Sequence, residues 1–551
     1  MPRCSRRAVV IVLSGAFAAG VARGDERRAE FDRAALRPAY TLTFHRPDLQ
    51  VDRVLKSFEG ARMPSPPAAL SAWLRVRPDA HLSQQTRAAV ALFNPETASE
   101  LRRFDEATFE FAGADRGASR RWRADFPHDD GALAAGAAAL VLTGGGVEPI
   151  EPEHVAAGNR AGAPAEVGLE RLGGRGGGFA ARSHGRLVAA STRADALDGR
   201  AHGTPRTLDP GFVARGVDSG VALRIEPRNL GPRDLDATAG RTLNAVARGL
   251  GVDTIDLAAT IDPRGESAVI HARSRLAHRL ETAARIDPTW IDELPNDPAT
   301  AALAAIAFDR AGTTIDALLS LLDQLDRARP GRENIAPLRA RLALVAQLVD
   351  VRAEVDLWPH LVGCVGSIGL DDRGEPDSAT LGLVFDSEPA AERLARVLPE
   401  LIARFAKPDA PAVKNAGAER DVRLAGRRLR VRPAGARLWL DWGDDRPQPR
   451  PDAATQPMPG AARAQVLESQ RLVVVRPRRV VPRLHLDPPI LAALEAVQSV
   501  VWTGAIDPTG RELWDTVRST GLRRAVARAL DALPLDPPPE RSTAAPVDAG
   551  R

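Results

Sequence analysis

Cysteine is almost missing from this chain of 551 residues, which holds only Cys4 and Cys364. Once a leader is removed, Cys364 stands alone and no internal disulfide can form, so stability must come from buried apolar surface. Lysine is equally scarce, at Lys56, Lys407 and Lys414, and the other basic residues are arginine. With 75 basic against 71 acidic residues the net charge is only +4, which argues against a polycationic nucleic-acid binder. Tyrosine occurs once and aromatic residues make up 4% of the chain, too few for the stacking platforms of carbohydrate or single-stranded nucleic-acid recognition. Leu, Val, Ile and Ala must therefore build the cores, and 44% hydrophobic residues can do so.

Catalytic and cofactor signatures are also lacking. The glycine clusters Gly144-Gly145-Gly146 and Gly173 to Gly178 have no GxxxxGK[ST] spacing and read as flexible loops. Ten histidines occur without HExxH spacing. The loop Asp371-Asp372-Arg373-Gly374-Glu375-Pro376-Asp377 lacks the alternating ligands and closing glutamate of a calcium loop, and Arg373 opposes a cation, so it reads as a hairpin turn. Ser219, in Val217-Asp218-Ser219-Gly220, lacks the nucleophile elbow. Cys364 sits in an alternating apolar segment and reads as a small buried hydrophobe. No catalytic, cofactor-binding or metal-binding residue is assigned, and no cofactor is expected.

What the chain does have is an address. Arg3, Arg6 and Arg7 precede the apolar or small run Ala8 to Ala22, and Ala22-Arg23-Gly24 offers small residues for cleavage. Residues 1–24 are expected to be a signal peptide, because 15 apolar residues fall short of the roughly 20 that span a bilayer. The expectation is a periplasmic or extracellular protein without a stable transmembrane anchor. Ser5-Arg6-Arg7 alone suggests twin-arginine export, and the general secretory route is favoured.

Behind the leader, alternating strands recur around polar turns. Ile255, Leu257, Ala259 and Ile261 alternate with Asp256, Thr260 and Asp262, and Asp262-Pro263-Arg264-Gly265 supplies the turn. The return strand alternates Ala268, Ile270, Ala272 and Leu276 with His271, Arg273 and Arg275, which places His271 on the solvent side. Val500 to Ile506, Asp507-Pro508-Thr509-Gly510 and a strand through Leu513 and Val517 repeat the unit. Helix-like segments precede both copies, at Leu235 to Leu250 and Ile490 to Val497, so the pattern is an internal duplication. Further hairpins are expected at 107–126, 177–191, 365–385 and 427–442. Helices are expected at 313–326, at 337–349 and after Ser387, the last with a kink or break at Pro399. The run Arg471 to Arg483, with Arg476, Arg478, Arg479 and Arg483, reads as the solvated side of an edge strand rather than an anion-binding patch.

These patterns give an α+β fold of repeated antiparallel β-hairpins forming curved sheets covered by helices. Domain limits fall in segments rich in Pro, Gly and Ala. They leave an N-terminal α+β unit at 25–147, a central unit at 177–405, a C-terminal unit at 427–533 and a disordered tail at 534–551.

Val355-Asp356-Leu357-Trp358-Pro359-His360-Leu361-Val362-Gly363 feeds a hairpin and then a helix after Ser387-Glu388-Pro389. Gly185-Arg186-Leu187-Val188-Ala189-Ala190-Ser191-Thr192 is followed by Asp195-Ala196-Leu197. Over roughly residues 180 to 405, these elements resemble a bacterial family of exported proteins classed as a domain of unknown function, of the three-three-five-two type. The resemblance implies an exported α+β protein of repeated units. It transfers no catalytic residue, and it implies that Pro359 and Gly363 set backbone shape and that His360 is structural. Function is therefore expected to be non-enzymatic binding or support in the cell envelope, with an unknown envelope protein or ligand as partner and no nucleic acid. Two alternatives stand beside it: an extracytoplasmic hydrolase whose site is assembled across the fold, and a carrier of an apolar ligand.

Overall fold

The computed structural model describes residues 36–63, 65–76, 106–113, 120–126, 147–149, 168–172, 178–183, 186–198, 209–236, 238–280, 284–294, 300–309, 358–405, 414–416, 419–424, 427–443, 469–481 and 486–533. The leader, the glycine clusters before Gly178, the segments 313–326 and 337–349, and the tail lie outside them.

Ten strands come from the first half of the chain: β1 Pro38–His45, β2 Glu106–Ala112, β3 Trp122–Phe126, β4 Val147–Pro149, β5 Gly168–Leu172, β6 Gly178–Ser183, β7 Arg186–Ala190, β8 Gly220–Ile225, β9 Val252–Ile261 and β10 Ser267–Leu276. Ten more come from the second: β11 Thr300–Ala307, β12 Leu361–Leu370, β13 Pro376–Phe385, β14 Lys414–Ala416, β15 Glu419–Leu424, β16 Arg427–Ala434, β17 Arg437–Gly443, β18 Arg471–Val475, β19 Ser499–Ile506 and β20 Glu512–Thr520. All pair antiparallel into one open sheet. Its first half runs β4-β5-β6-β7-β3-β2-β1-β8-β9-β10. Its second half runs β14-β15-β16-β17-β13-β12-β11-β18-β19-β20, the same order with every number raised by ten.

The halves meet where β10 pairs with β20, each the last strand of its repeat. His271 lies opposite Thr516, 245 residues away. The same interval separates Asp262 from Asp507 in the two matching turns. The equivalent residues His271 and Thr516 thus mark a local two-fold axis perpendicular to the sheet, which exchanges the pair Ile270–Val517 with the pair Ala272–Asp515. Both turns close identically: Gly265 N–H donates to the Asp262 carbonyl and Gly510 N–H to the Asp507 carbonyl, each at 2.9 Å. Both glycines hold positive φ, +71° and +73°, which a side chain would strain.

Eleven α-helices or single α-helical turns are described: α1 Pro47–Ser57, α2 Pro66–Val76, α3 Arg193–Asp198, α4 Pro210–Val213, α5 Pro232–Asp236, α6 Thr238–Leu250, α7 Pro288–Asp292, α8 Glu388–Phe405, α9 Pro477–Val480, α10 Pro488–Ala496 and α11 Leu522–Asp531. The architecture is mainly antiparallel β with some helices. Side chains alternate between two faces. Leu42, Phe111, Ile270, Trp502 and Leu383 share one, the front; Thr41, Glu110, His271, Thr503 and Val384 share the other, the rear. Helix α8 covers the front of the second half, where Ala391, Leu394 and Ala395 meet Phe385, Val431 and Leu438. It continues through Pro399, so of the expected kink or division the division does not occur. Helix α7 covers the rear of that half, setting Trp290 and Ile291 among Leu303, Val365, Trp439 and Leu472. In the first half the front carries Phe111, Trp122, Phe126 and Leu187, with Phe109 edge-on to both Phe44 and Phe126.

Two expectations fail here. Arg471 lies on β18, which is flanked by β11 and β19 and is no edge strand; Arg476, Arg478 and Arg479 follow at and in α9, while Arg483 lies outside the described residues. A valine run pairs as readily in the middle of a sheet as at its rim, and arginines at strand ends find partners there. His271 is also not on a solvated face: it is 7% exposed, whereas Ile270 beside it is 45% exposed. Alternation reports that two faces differ, and here the polar one is the covered one.

Candidate functional site

The six strands β8, β9, β10, β20, β19 and β18 surround the local two-fold, and their two faces have opposite chemistry. On the rear, Arg273 is 4% exposed and forks between two carboxylates. It donates to Asp209 at 2.9 and 2.6 Å and to Asp256 at 2.8 Å, and Arg224 reaches the other side of Asp256 at 2.6 Å. Burial works against the Arg273 charge, yet the two carboxylates hold it cationic more firmly than usual. Burial likewise opposes ionisation of Asp209, but Arg273, Arg275 and the Gly211 N–H bring its carboxyl below the usual range. This network ties α4 to the sheet. Phe212 packs edge-on to Trp514 with ring centroids 5.3 Å apart, and the Arg215 guanidinium lies 3.5 Å from the centre of the Trp514 ring.

His271 accepts or donates a hydrogen bond with Thr516 at 3.0 Å on the two-fold itself. Burial, then the charges of Arg215 and Arg518, push its pKa down to about 4, so it is neutral at physiological pH. Ser219 is fully buried; Gln50 of α1 donates to its hydroxyl at 2.8 Å, and it donates in turn to Asp218 at 3.1 Å. Asp218 also receives both arms of Arg53, which hold its carboxyl below the usual range. Ser219 therefore fastens a helix to the sheet. Burial pushes the Cys364 thiol up to about 11, which leaves it protonated and a poor nucleophile. Among the described residues no three His, Cys, Asp or Glu side chains converge as a metal site.

Elements singled out in the sequence have local roles. His360 faces Asp386 at 3.1 Å, both exposed, beside the bond from the Asp386 N–H to the His360 carbonyl. Gly363 lets the Trp290 ring approach where a Cβ would come within 2.3 Å of it. Asp371 accepts N–H bonds from Arg373 and Glu375 and shapes its turn. Asp195 forms a buried bidentate pair with Arg121 at 2.8 and 2.6 Å.

The front of the same six strands is apolar. Val221, Ala259, Ile270, Val517, Trp502 and Val473 follow one another across it in register. Trp502 is 36% exposed, Ile270 more so. Ser274, Ser519, Arg471 and Asp515 interrupt it, and Asp515 Oδ1 accepts from the Trp502 indole and from Arg471, both at 3.1 Å. Burial raises the Asp515 pKa in spite of Arg471. Sequence reading missed both the ion network and this face, because their members lie as much as 300 residues apart and meet only through the β10–β20 pairing.

No helix among the described residues is long and apolar enough to cross a membrane. No protein-family model matches the chain, and none of the curated proteins or solved structures compared with it matches either.

Proposed function

We propose that this protein is an exported, non-catalytic binding protein of the cell envelope, and that the front of its six central strands receives the apolar surface of a partner protein. The observation that carries this reading is the apolar strip across the two-fold, with Ile270 and Trp502 left over a third exposed. Apolar side chains gain by leaving water, and a contiguous exposed patch of this kind marks an interaction surface. Five inter-strand steps make it about 24 Å wide, the scale of a protein contact. A carrier would enclose most of its ligand's surface, whereas Ile270 lies open. Curvature of the sheet around the partner, and kinship with the exported family that Val355 to Gly363 resembles, belong to the same proposal.

A photo-crosslinking residue placed at 270 or at 502 in the exporting cell tests it, with position 264 in the distant turn as control. A discrete protein adduct from 270 and 502, absent from 264, is the expected result. Equal labelling from 264, no adduct, or an adduct of lipid mass would overturn the reading, the last in favour of a carrier. The mass of the mature N-terminus from the envelope fraction tests export; a cytosolic product starting at Met1 would sink it.

A further inference from the structure

The apolar strip of the central strands continues beyond them. From Ile270 the register runs through Val517, Trp502, Val473, Ala304 and Gly366 to Leu381, across β10, β20, β19, β18, β11, β12 and β13. On these seven strands the exposed front positions are Ile270, Trp502, Ala304 and Leu381, and all four fall on this one row; Val517, Val473 and Gly366 between them are half-buried. Strand steps of roughly 4.8 Å put the four about 9.6 Å apart and the two ends about 29 Å apart. The next row on one side holds Asp515 and Arg471, which pair at 3.1 Å, and the next row on the other holds Ser519. Beside Leu381, Leu440 already packs against the cluster beneath α8, so the row runs into the seat of a helix laid on this same front face.

We infer that this row seats one amphipathic α-helix of the partner protein, lying across the strands with its apolar stripe on Ile270, Trp502, Ala304 and Leu381. The inference rests on the reading of the front face as a partner surface. Seven helical residues rise about 10.5 Å, so apolar residues repeating every heptad meet successive exposed positions, and about 20 residues span the row. An extended segment returns a side chain to the same face every ~6.6 Å, out of step with a period of about 9.6 Å. A second copy docked face to face needs contact over several rows: a track about 29 Å by 10 Å covers about 300 Å², against roughly 800 Å² per partner in a stable interface. A helix held by a line of apolar anchors fits the narrower track.

A photo-crosslinking residue placed in turn at 270, 502 and 381 in the exporting cell tests this, with each crosslinked partner residue located by mass spectrometry. One partner segment is expected from all three positions, the sites from 270 and 502 about seven residues apart and those from 502 and 381 about fourteen. Ile270→Asp in the protein labelled at 381 is expected to lower the adduct yield about tenfold, because a single helix loses its first anchor. Adducts from 270 and 502 with none from 381, spacings of about three and six residues as in an extended strand, sites on separate segments, an adduct with a second copy of this chain, or an undiminished yield with Ile270→Asp each overturn the helix and leave the front face a partner surface. An adduct of lipid mass, or none from any position, overturns both. Should Ile270→Asp misfold by circular dichroism, the spacings decide alone.

Discussion

Arg273 shows how much one buried side chain can hold. Its guanidinium lies between Asp209 and Asp256, with Arg224 sharing the latter. Replacing it with methionine keeps the stem but leaves Asp256, 5% exposed, with half its compensation. Breaking such a pair from one side costs roughly 3–5 kcal/mol. Urea unfolding of Arg273→Met is expected to show a loss of that order. Arg273→Lys should recover little of it, since an ammonium cannot make the two parallel bonds to Asp209 and still reach Asp256; a loss below about 1 kcal/mol would mean that the network does not hold α4. His271 makes a prediction of opposite kind. Its folded pKa of about 4 lies below the ordinary 6.5, so between those values the folded chain binds fewer protons than the unfolded one. Stability from this residue is complete above pH 6.5 and is lost as pH falls toward 4, on the order of 3 kcal/mol in all. Glu106, whose pKa burial pushes up to about 7, slopes the other way over part of this range, so the comparison must be with His271→Gln. The difference in unfolding free energy between wild type and variant is expected to shrink on acidification from pH 7 to pH 4.5, and a constant difference would refute the buried neutral histidine.

Strands and turns were the legible elements. Turns such as Asp262-Pro263-Arg264-Gly265 carry their own instructions, with a carboxylate that accepts N–H groups and a glycine that takes positive φ. The hairpins at 254–276, 365–385, 427–442 and 500–517 form where the alternation places them. Which face is covered could not be read, because burial of Arg273 and exposure of Ile270 depend on distant α4 and β20. Glycines inside β12 and β13 are legible only once their neighbours are known. Gly363 lies under the Trp290 ring and Gly382 under the Trp439 ring, where a Cβ would approach to 2.3 and 2.6 Å. Gly363→Ala must displace Trp290 from the cluster beneath α7, at a cost of about 1–3 kcal/mol. A lowered melting temperature with a changed tryptophan fluorescence is expected; unchanged emission would mean that the ring does not rest on this glycine.

At the scale of the whole molecule the chain is two repeats joined edge to edge. The duplication is visible in the sequence as matching turns 245 residues apart, but its consequence is not: each repeat caps the other's last strand, which alone would be an open edge inviting aggregation. The same junction assembles both the rear ion network, where Trp514 and Glu512 of one repeat meet Arg273 of the other, and the front apolar strip. Register is therefore decisive, since a slip of one residue exchanges the faces. Directly opposed residues in an antiparallel pair have Cα atoms about 4.5–5.5 Å apart, within reach of a disulfide. In a Cys364→Ser background, the double variant His271→Cys with Thr516→Cys is expected to oxidise readily. The resulting loop should raise electrophoretic mobility under denaturing, non-reducing conditions. The pair His271→Cys with Val517→Cys, whose side chains point to opposite faces, should not oxidise. Cross-linking of the second pair in preference to the first would place the two-fold elsewhere and dissolve both faces as drawn.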